Sequence, residues 1–148
     1  MKSLFILLFS LIFSVNSMAS ELMVSGQYVR ATPPHAKNSA AFLSISNHSN
    51  KVVKLIAASS DIADRVELHN HIKEDGLMKM RQVKEVVINA NSKVTLQPGG
   101  YHVMFLGLKN DLKEGQNVNI TLYFDNGNEV NIDAPVQKIS MSHKTMHH

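Results

Sequence analysis

The 148-residue chain contains no cysteine and no tryptophan, and charged residues make up only 18% of it. The absence of cysteine excludes a disulfide scaffold, a thiolate zinc site, an iron–sulfur cluster and a cysteine nucleophile. It also excludes a conventional blue-copper electron carrier, because that site needs a cysteine thiolate. Basic residues outnumber acidic ones only slightly, 15 against 12, and they are scattered, which argues against a nucleic-acid partner. Methionine and histidine are the unusual feature, with eight of each.

The first residues have the three-part pattern of a secretory signal peptide. Lys2 supplies a positive start, an apolar run extends from Leu4 to Val15, and Ser17-Met-Ala19 offers the small residues that a signal peptidase reads. The apolar run is too short to span a bilayer comfortably. We therefore predict a signal peptide over residues 1–19, export of the remaining chain, and no stable membrane insertion. Since no cysteine follows the cleavage region, we expect no lipid anchor.

The body of the chain, residues 20–138, is predicted to be a single all-β domain. Between residues 22 and 133 apolar residues recur with period two more often than 3.6, which indicates strands. The runs are residues 22–30, 40–46, 51–57, 65–72, 77–83, 85–88, 93–96, 101–106, 118–124 and 129–132. Eight to ten short strands at this spacing are typical of a β-sandwich or small barrel. A helical turn is expected at Ser60–Ala63 and at Leu108–Lys113, and Pro135 is expected to end the last strand.

The C-terminal segment, residues 139–148, is predicted to be a tail, because it shows no apolar periodicity. Its last eight residues include Met141, His143, Met146, His147 and His148. Short histidine-rich tracts bind transition metals. Two interpretations therefore stand, a frayed end and a flexible metal-scavenging tail, and the composition favours the second.

Four residues of the body have a spacing that indicates a metal site. They are His69, then ten residues, Met80, then twenty-one residues, His102, one residue and Met104. Because side chains alternate along a strand, His102 and Met104 project from the same face. The Asp75-Gly76 turn predicts a hairpin that brings His69 and His71 toward the strand that carries Met78 and Met80. His71 and Met78 are therefore candidates for positions near the site, with an outward orientation as the alternative.

The chemistry of these donors favours monovalent copper. A single methionine on a strand is usually core filler, and a single histidine is usually exposed or hydrogen-bonded. Repeated pairs of these residues are harder to explain by packing, because imidazole does not belong in a dry core. Thioether with imidazole and without carboxylate suits Cu(I), whereas zinc and calcium favour cysteine or carboxylate ligands. These donors also suit an oxidising compartment, in which free thiolates do not persist.

Three segments around these donors resemble the PCuAC copper-chaperone family. They are Val66-Glu-Leu-His-Asn-His71, Gly76-Leu-Met-Lys-Met-Arg81 and Leu96-Gln-Pro-Gly-Gly-Tyr-His-Val-Met104. The spacing matches the family motif His-x10-Met-x21-His-x-Met at all four ligand positions. The likeness continues through Tyr28–Pro34, Ala40–Asn47 and Leu122–Phe124, and so covers most of residues 22–136. Tyr28 and Phe42 stand where the family pattern leads us to expect Trp and Tyr, and neither is a ligand.

The resemblance implies a cupredoxin-like Greek-key β-sandwich that binds Cu(I) in the bacterial periplasm. His69, Met80, His102 and Met104 would be the metal ligands. The resemblance also implies delivery of copper to cytochrome c oxidase, chiefly to its CuA centre, together with a thioredoxin-like copper chaperone. A His/Met tail occurs in some relatives, which favours a second copper ion, as Cu(II), bound with the tail.

Three other functions compete with copper delivery. A periplasmic copper sequestration or resistance protein without an oxidase partner would have the same ligands, so the sequence leaves this alternative open. An enzyme is disfavoured, because no nucleophile elbow or other catalytic signature surrounds the Ser, His and Asp residues; we therefore predict a non-enzyme. A purely structural β-sandwich would leave the paired His and Met residues unexplained.

Overall fold

The computed structural model describes residues 20–139, and within that span the chain forms ten strands and no helix. The strands are β1 Leu22–Arg30, β2 Asn38–Asn47, β3 Val53–Ser59, β4 Ala63–Glu74, β5 Leu77–Gln82, β6 Val86–Ile88, β7 Ser92–Leu96, β8 His102–Leu108, β9 Asn117–Phe124 and β10 Glu129–Gln137. The predicted signal peptide, residues 1–19, and the tail residues Met141, His143, Met146, His147 and His148 lie outside the described residues. The described part of the chain contains no helix long and apolar enough to cross a membrane.

The strands form two layers around one core. The first layer has the order β5-β4-β8-β2-β1, with β7 also paired to β2, and the second has the order β10-β9-β3-β6. A short parallel pairing between β1 and β10 joins the layers, and every other strand pair is antiparallel. Strands far apart in sequence thus lie side by side, for example β2 beside β8. The all-β prediction is confirmed.

The core consists of the inward-facing residues of both layers. In β9 every second residue, from Val118 to Phe124, is buried, which is the period-two pattern that the sequence shows. Ile45, Leu55 and Phe105 are fully buried at the centre. Burial of each such side chain contributes about 1.5–3 kcal/mol to folding. The core therefore fixes which face of each strand is left for other uses.

Two local predictions are wrong. The segments Ser60–Ala63 and Leu108–Lys113 contain turns, bends and strand ends and no helical turn. Pro135 does not end the last strand, because β10 continues to Gln137. Pro135 pairs with Asn117 as the last residue of the antiparallel ladder with β9, after which β10 pairs in parallel with the end of β1. The proline, which cannot donate a backbone hydrogen bond, thus stands where the strand changes partner.

A bulge in β1 changes which of its residues face the core. The register with β2 shifts between Ser25 and Tyr28, and Gly26 there has a φ of 62°, a value that glycine adopts at low cost. Before the bulge Leu22 is buried, whereas after it Val29 is buried. The extra residue therefore turns Tyr28 and Arg30 to the outer face of the first layer.

Asn47 ties the end of β2 to the end of β6 and is only 1% exposed. Its Nδ2 lies 2.7 Å from the carbonyl of Lys51, 3.3 Å from that of Ile88 and 3.2 Å from that of Asn89. Its Oδ1 accepts hydrogen bonds from the amide and the hydroxyl of Ser49, at 3.0 and 2.8 Å. One buried side chain thus satisfies polar groups from both layers of the fold.

We predict that Asn47→Ala lowers the free energy of unfolding by about 2–3 kcal/mol, because several buried polar groups lose their partner. The measurement is equilibrium denaturation in urea. Asn50→Ala is the matched control, since Asn50 is an exposed residue of the same turn, and its effect is expected to stay within about 0.5 kcal/mol. Equal unfolding midpoints for the two variants would contradict this role of Asn47.

Candidate metal centre

The four predicted metal ligands all project from the outer face of the first layer. Strand β4 lies between β5 and β8, and its register places His69 opposite His102 and His71 opposite Met80. Because alternate residues such as Leu68 and Val103 are buried in the core, the histidines and methionines project from the opposite face. Met104 lies two residues after His102 and therefore shares this face.

The β4–β5 hairpin forms as the sequence predicts. Asp75 and Gly76 both have positive φ, 52° and 76°, and they join the paired residues Glu74 and Leu77. Two positive-φ residues are the mark of the type I′ turn, which Asp-Gly favours. The hairpin sets the register that brings Met80 beside the histidines of β4.

A second turn places a backbone carbonyl under the histidine rings. The amide of Gly100 donates to the carbonyl of Gln97 at 2.9 Å, and Gly99 between them has a φ of 85°. Proline followed by a positive-φ glycine is the pattern of a type II turn. The Gly100 carbonyl accepts a hydrogen bond from Nδ1 of His102 at 3.1 Å. It also lies 3.4 Å from Nδ1 of His71.

Two of the predicted ligands, His102 and Met80, are in direct contact. Nε2 of His102 lies 3.1 Å from Sδ of Met80. Since a carbonyl can only accept, the hydrogen bond to Gly100 fixes the ring proton on Nδ1 and leaves the lone pair on Nε2. Burial lowers the pKa of His102, which is 3% exposed, and the nearby positive charge of Arg30 lowers it further, although the hydrogen bond to Gly100 opposes this. The imidazole is therefore neutral at pH 7, and two electron-pair donors face each other.

These residues line a cavity of about 310 Å³. Met80, His102 and Met104 line it, as does His71, whereas His69 does not. The structure thus brings together three of the four predicted ligands and adds His71, whose ring centroid is 5.3 Å from that of His102. Met78 is 60% exposed and does not line the cavity.

His69 is held beside this cavity by a carboxylate. Its Nε2 lies 2.7 Å from Oε2 of Glu67, and the two side chains are only 13% and 16% exposed. Its other nitrogen, Nδ1, is buried and has no hydrogen-bond partner among residues 20–139. The ring centroid of His69 is 5.7 Å from that of His102.

Sequence reasoning did not identify Glu67, Phe42 or Arg30 as parts of the site. Phe42 packs against the ring of His102, with centroids 6.2 Å apart, and against Tyr28 at 5.2 Å. The Arg30 guanidinium lies 5.5 Å from the Phe42 ring centroid and borders the cavity. The alternation of β2 would have found Phe42, but only the bulge brings Arg30 to this face.

The potential metal donors that line this cavity include the sulfur atoms of two methionines, Met80 and Met104. Among residues 20–139 no group of three or more His, Asp or Glu side chains is placed to hold a metal ion. The cavity offers the thioethers of Met80 and Met104 beside two imidazoles, and thioethers are soft, neutral donors that suit Cu(I) and not magnesium or calcium. The arrangement of residues fits a soft metal ion.

Comparison with known sequences identifies a family. The family model described as "Putative lipoprotein LpqE-like" matches residues 22–136. A relative in Leifsonia xyli subsp. xyli, "Putative lipoprotein Lxx21020", is 32% identical over 123 residues, which cover 82% of this chain and 73% of that protein. "Uncharacterized protein RP573" of Rickettsia prowazekii is 35% identical over 109 residues, 69% of this chain and 60% of that protein.

Solved structures share the fold. The structure titled "Solution structure of CuI-DR1885 from Deinococcus Radiodurans" is 35% identical, covers 82% of this chain and 83% of its own, and has a TM-score of 0.64. The "Apo PCuAC domain from PmoF1" is 28% identical with a TM-score of 0.69, over 80% of this chain and 95% of its own. The "Copper-bound PCuAC domain from PmoF2" is 22% identical with a TM-score of 0.68, over 80% and 94%.

These matches confirm the predicted cupredoxin-like Greek-key fold, since β-strands of this chain superpose on PCuAC domains over most of their length. The family match covers the strands that carry the histidines and methionines, from β4 to β8. The chain therefore belongs to the LpqE-like family and is a protein of the PCuAC type.

Proposed function

We propose that this protein is a periplasmic copper carrier that binds Cu(I) in the candidate metal centre. One observation carries the proposal: the neutral, buried Nε2 of His102 faces the sulfur of Met80 at 3.1 Å. Two lone pairs at this distance repel each other unless an electron-pair acceptor is shared between them. Imidazole with thioether is a donor pair that Cu(I) accepts.

The proposed ligands are His69, Met80, His102 and Met104. The last three border one cavity, and His69 is paired with His102 across β4 and β8. His71 is a further nitrogen donor at the cavity wall. The Cu(I) form of the Deinococcus relative, which shares about a third of its residues with this chain, supports the choice of metal.

The exposure of the ligands favours both retention and release of copper. His102 is 3% exposed, whereas Met80 is 45% exposed on the edge strand β5. An acceptor can therefore reach Met80 first and displace its thioether, while the imidazole below still holds the ion. Thioethers carry no charge and bind copper less tightly than thiolates, so this exchange needs no strong competitor.

We propose cytochrome c oxidase, at its CuA centre, as the final acceptor, with a thioredoxin-like copper chaperone as a partner. Residues 1–19 would be removed on export to the periplasm. The family name and the "lipoprotein" relative in Leifsonia support export. Sequestration of excess copper without an oxidase partner is the competing function, and it would use the same ligands.

We predict that the full exported chain binds Cu(I) in the core and that Met80→Ala with Met104→Ala weakens this binding at least tenfold, about 1.4 kcal/mol or more. The measurement is anaerobic competition titration, with X-ray absorption to count sulfur and nitrogen donors. Met23→Ala is the matched control, because Met23 is 56% exposed and lies outside the cavity. Unchanged affinity in the double variant would show that the ligand assignment is wrong.

The tail is proposed to hold a second copper ion, as Cu(II), through His143, Met146, His147 and His148. We predict that a chain ending at Lys138 binds one copper equivalent fewer than the full chain in a Cu(II) titration, while its Cu(I) affinity in the core is unchanged. Equal stoichiometry for the two chains would contradict a separate tail site.

Cellular copper supply separates delivery from sequestration. We predict that deletion of the gene under copper limitation lowers cytochrome c oxidase activity, and that the wild-type protein restores it but the Met80→Ala, Met104→Ala variant does not. The measurement is oxidase activity in membranes at graded copper. A defect confined to excess copper would instead favour sequestration.

A further inference from the structure

We infer that Glu67 is a positioning residue of the metal centre: its carboxylate accepts the Nε2–H of His69 and so makes Nδ1 the nitrogen that binds copper. This inference rests on the proposed function, because it assigns a role to a neighbour of a proposed ligand. It concerns which atom of His69 binds and what holds that ring in place.

The hydrogen bond fixes the tautomer of His69. Nε2 of His69 and Oε2 of Glu67 are 2.7 Å apart, the short distance of a hydrogen bond to a charged acceptor. An ionised carboxylate only accepts, so the proton of this bond lies on Nε2. A histidine that binds a metal ion is neutral and carries one ring proton; with that proton on Nε2, the lone pair is on Nδ1.

Nδ1 of His69 is also buried, where a polar atom is stable only if it has a hydrogen-bond partner or a bound ion. Nδ1 of His69 is the one buried side-chain nitrogen or oxygen in residues 20–139 that has no hydrogen-bond partner. A buried polar atom without a partner is unfavourable, and a bound ion is one of the features that account for such an atom in a folded protein. A metal ion at Nδ1 would supply the missing interaction without breaking the bond to Glu67.

The strand register supports an orienting role for the carboxylate. Glu67 lies opposite Met104, and His69 lies opposite His102. Glu67 therefore lies on the same face as the proposed ligands, next to His69 along β4 and across from Met104 on β8. Hydrogen bonding to a carboxylate makes an imidazole a stronger donor, and removal of such a partner typically weakens metal binding about 10- to 100-fold.

The test begins with histidine-ring NMR on the ¹⁵N-labelled full exported chain, without metal and with one equivalent of Cu(I) under anaerobic conditions. Cu(I) is diamagnetic, so the ring nitrogens stay observable. We expect His69 to carry its proton on Nε2 in the metal-free protein and copper to shift the Nδ1 resonance. A proton on Nδ1, or a copper-induced loss of the Nε2 proton, would overturn the inference.

Variants of Glu67 separate positioning from folding. We expect Glu67→Ala to mix the two tautomers and to weaken Cu(I) binding about 10- to 100-fold. Glu67→Gln keeps an oxygen acceptor and is expected to retain the wild-type tautomer and most of the affinity. If a denaturation assay shows that Glu67→Ala is unfolded, the inference is tested by the tautomer and the Cu(I) affinity of Glu67→Gln and by the wild-type spectra. Wild-type affinity in a folded Glu67→Ala protein would overturn the inference.

Two control variants test whether any charge change nearby has the same effect. Arg65→Ala removes the exposed guanidinium that lies 3.5 Å from Glu67, and Glu74→Ala removes a carboxylate of the same strand that pairs with Lys79 and Arg81. Both variants are expected to keep the His69 tautomer and the wild-type Cu(I) affinity. A loss equal to that of Glu67→Ala would overturn the specific role of Glu67.

The outcomes distinguish this inference from the proposed function. If the wild-type protein binds Cu(I) but the His69 resonances do not move, copper carriage stands and the role of Glu67 falls. If the wild-type protein binds no Cu(I), both the proposed copper carriage and the role of Glu67 are wrong. An Nε2–H tautomer would then show only that the hydrogen bond to Glu67 exists.

Discussion

The pairing of β4 with β5 on one side and with β8 on the other is the constraint on which the proposed metal centre depends. It places His69 opposite His102 and His71 opposite Met80. A slip of one residue would turn these donors into the core and the core residues outward. Leu68 and Val103, both buried, oppose such a slip, because their exposure would cost the burial free energy that they now contribute. The packing of the sandwich thus sets the geometry of the site on its outer surface.

The site combines neutral donors with very different exposure. His102 is buried and its protonation is disfavoured, since burial lowers its pKa. Met80 lies at the sheet edge and is partly open to solvent. Because neutral imidazoles and thioethers, the proposed ligands, bring no charge, the charge of a bound cation would be offset by surrounding groups. Glu67 is such a group, and it contacts the site through His69.

Much of this arrangement is predictable from the sequence, because it depends on residues that are close together in the chain. The period-two pattern predicts the strands, the Asp75-Gly76 pair predicts the β4–β5 hairpin, and alternation places His102 and Met104 on one face. All three depend on residues close together in the chain. The four proposed ligands are identified by the resemblance of the motif to the PCuAC family. The predicted fold is confirmed.

The remainder depended on contacts between distant segments. His71 lines the cavity and His69 does not, although His69 is the residue paired with His102, and a strand pattern alone does not give this difference. The bond between Glu67 and His69 depends on side-chain rotamers. Pro135 was expected to end a strand because a proline cannot donate to a ladder, but the change of partner from β9 to β1 removes that conflict.

The bulge at Gly26 has a consequence for how this surface can vary among related proteins. One inserted residue divides β1 into a half whose alternate residues fill the core and a half that presents Tyr28 and Arg30 to the cavity side. Substitutions at Arg30 can therefore alter the charge at the cavity mouth while Val29 keeps its place in the core. The residue of β1 that borders the cavity, Arg30, is thus distinct from the residue that the core needs, Val29.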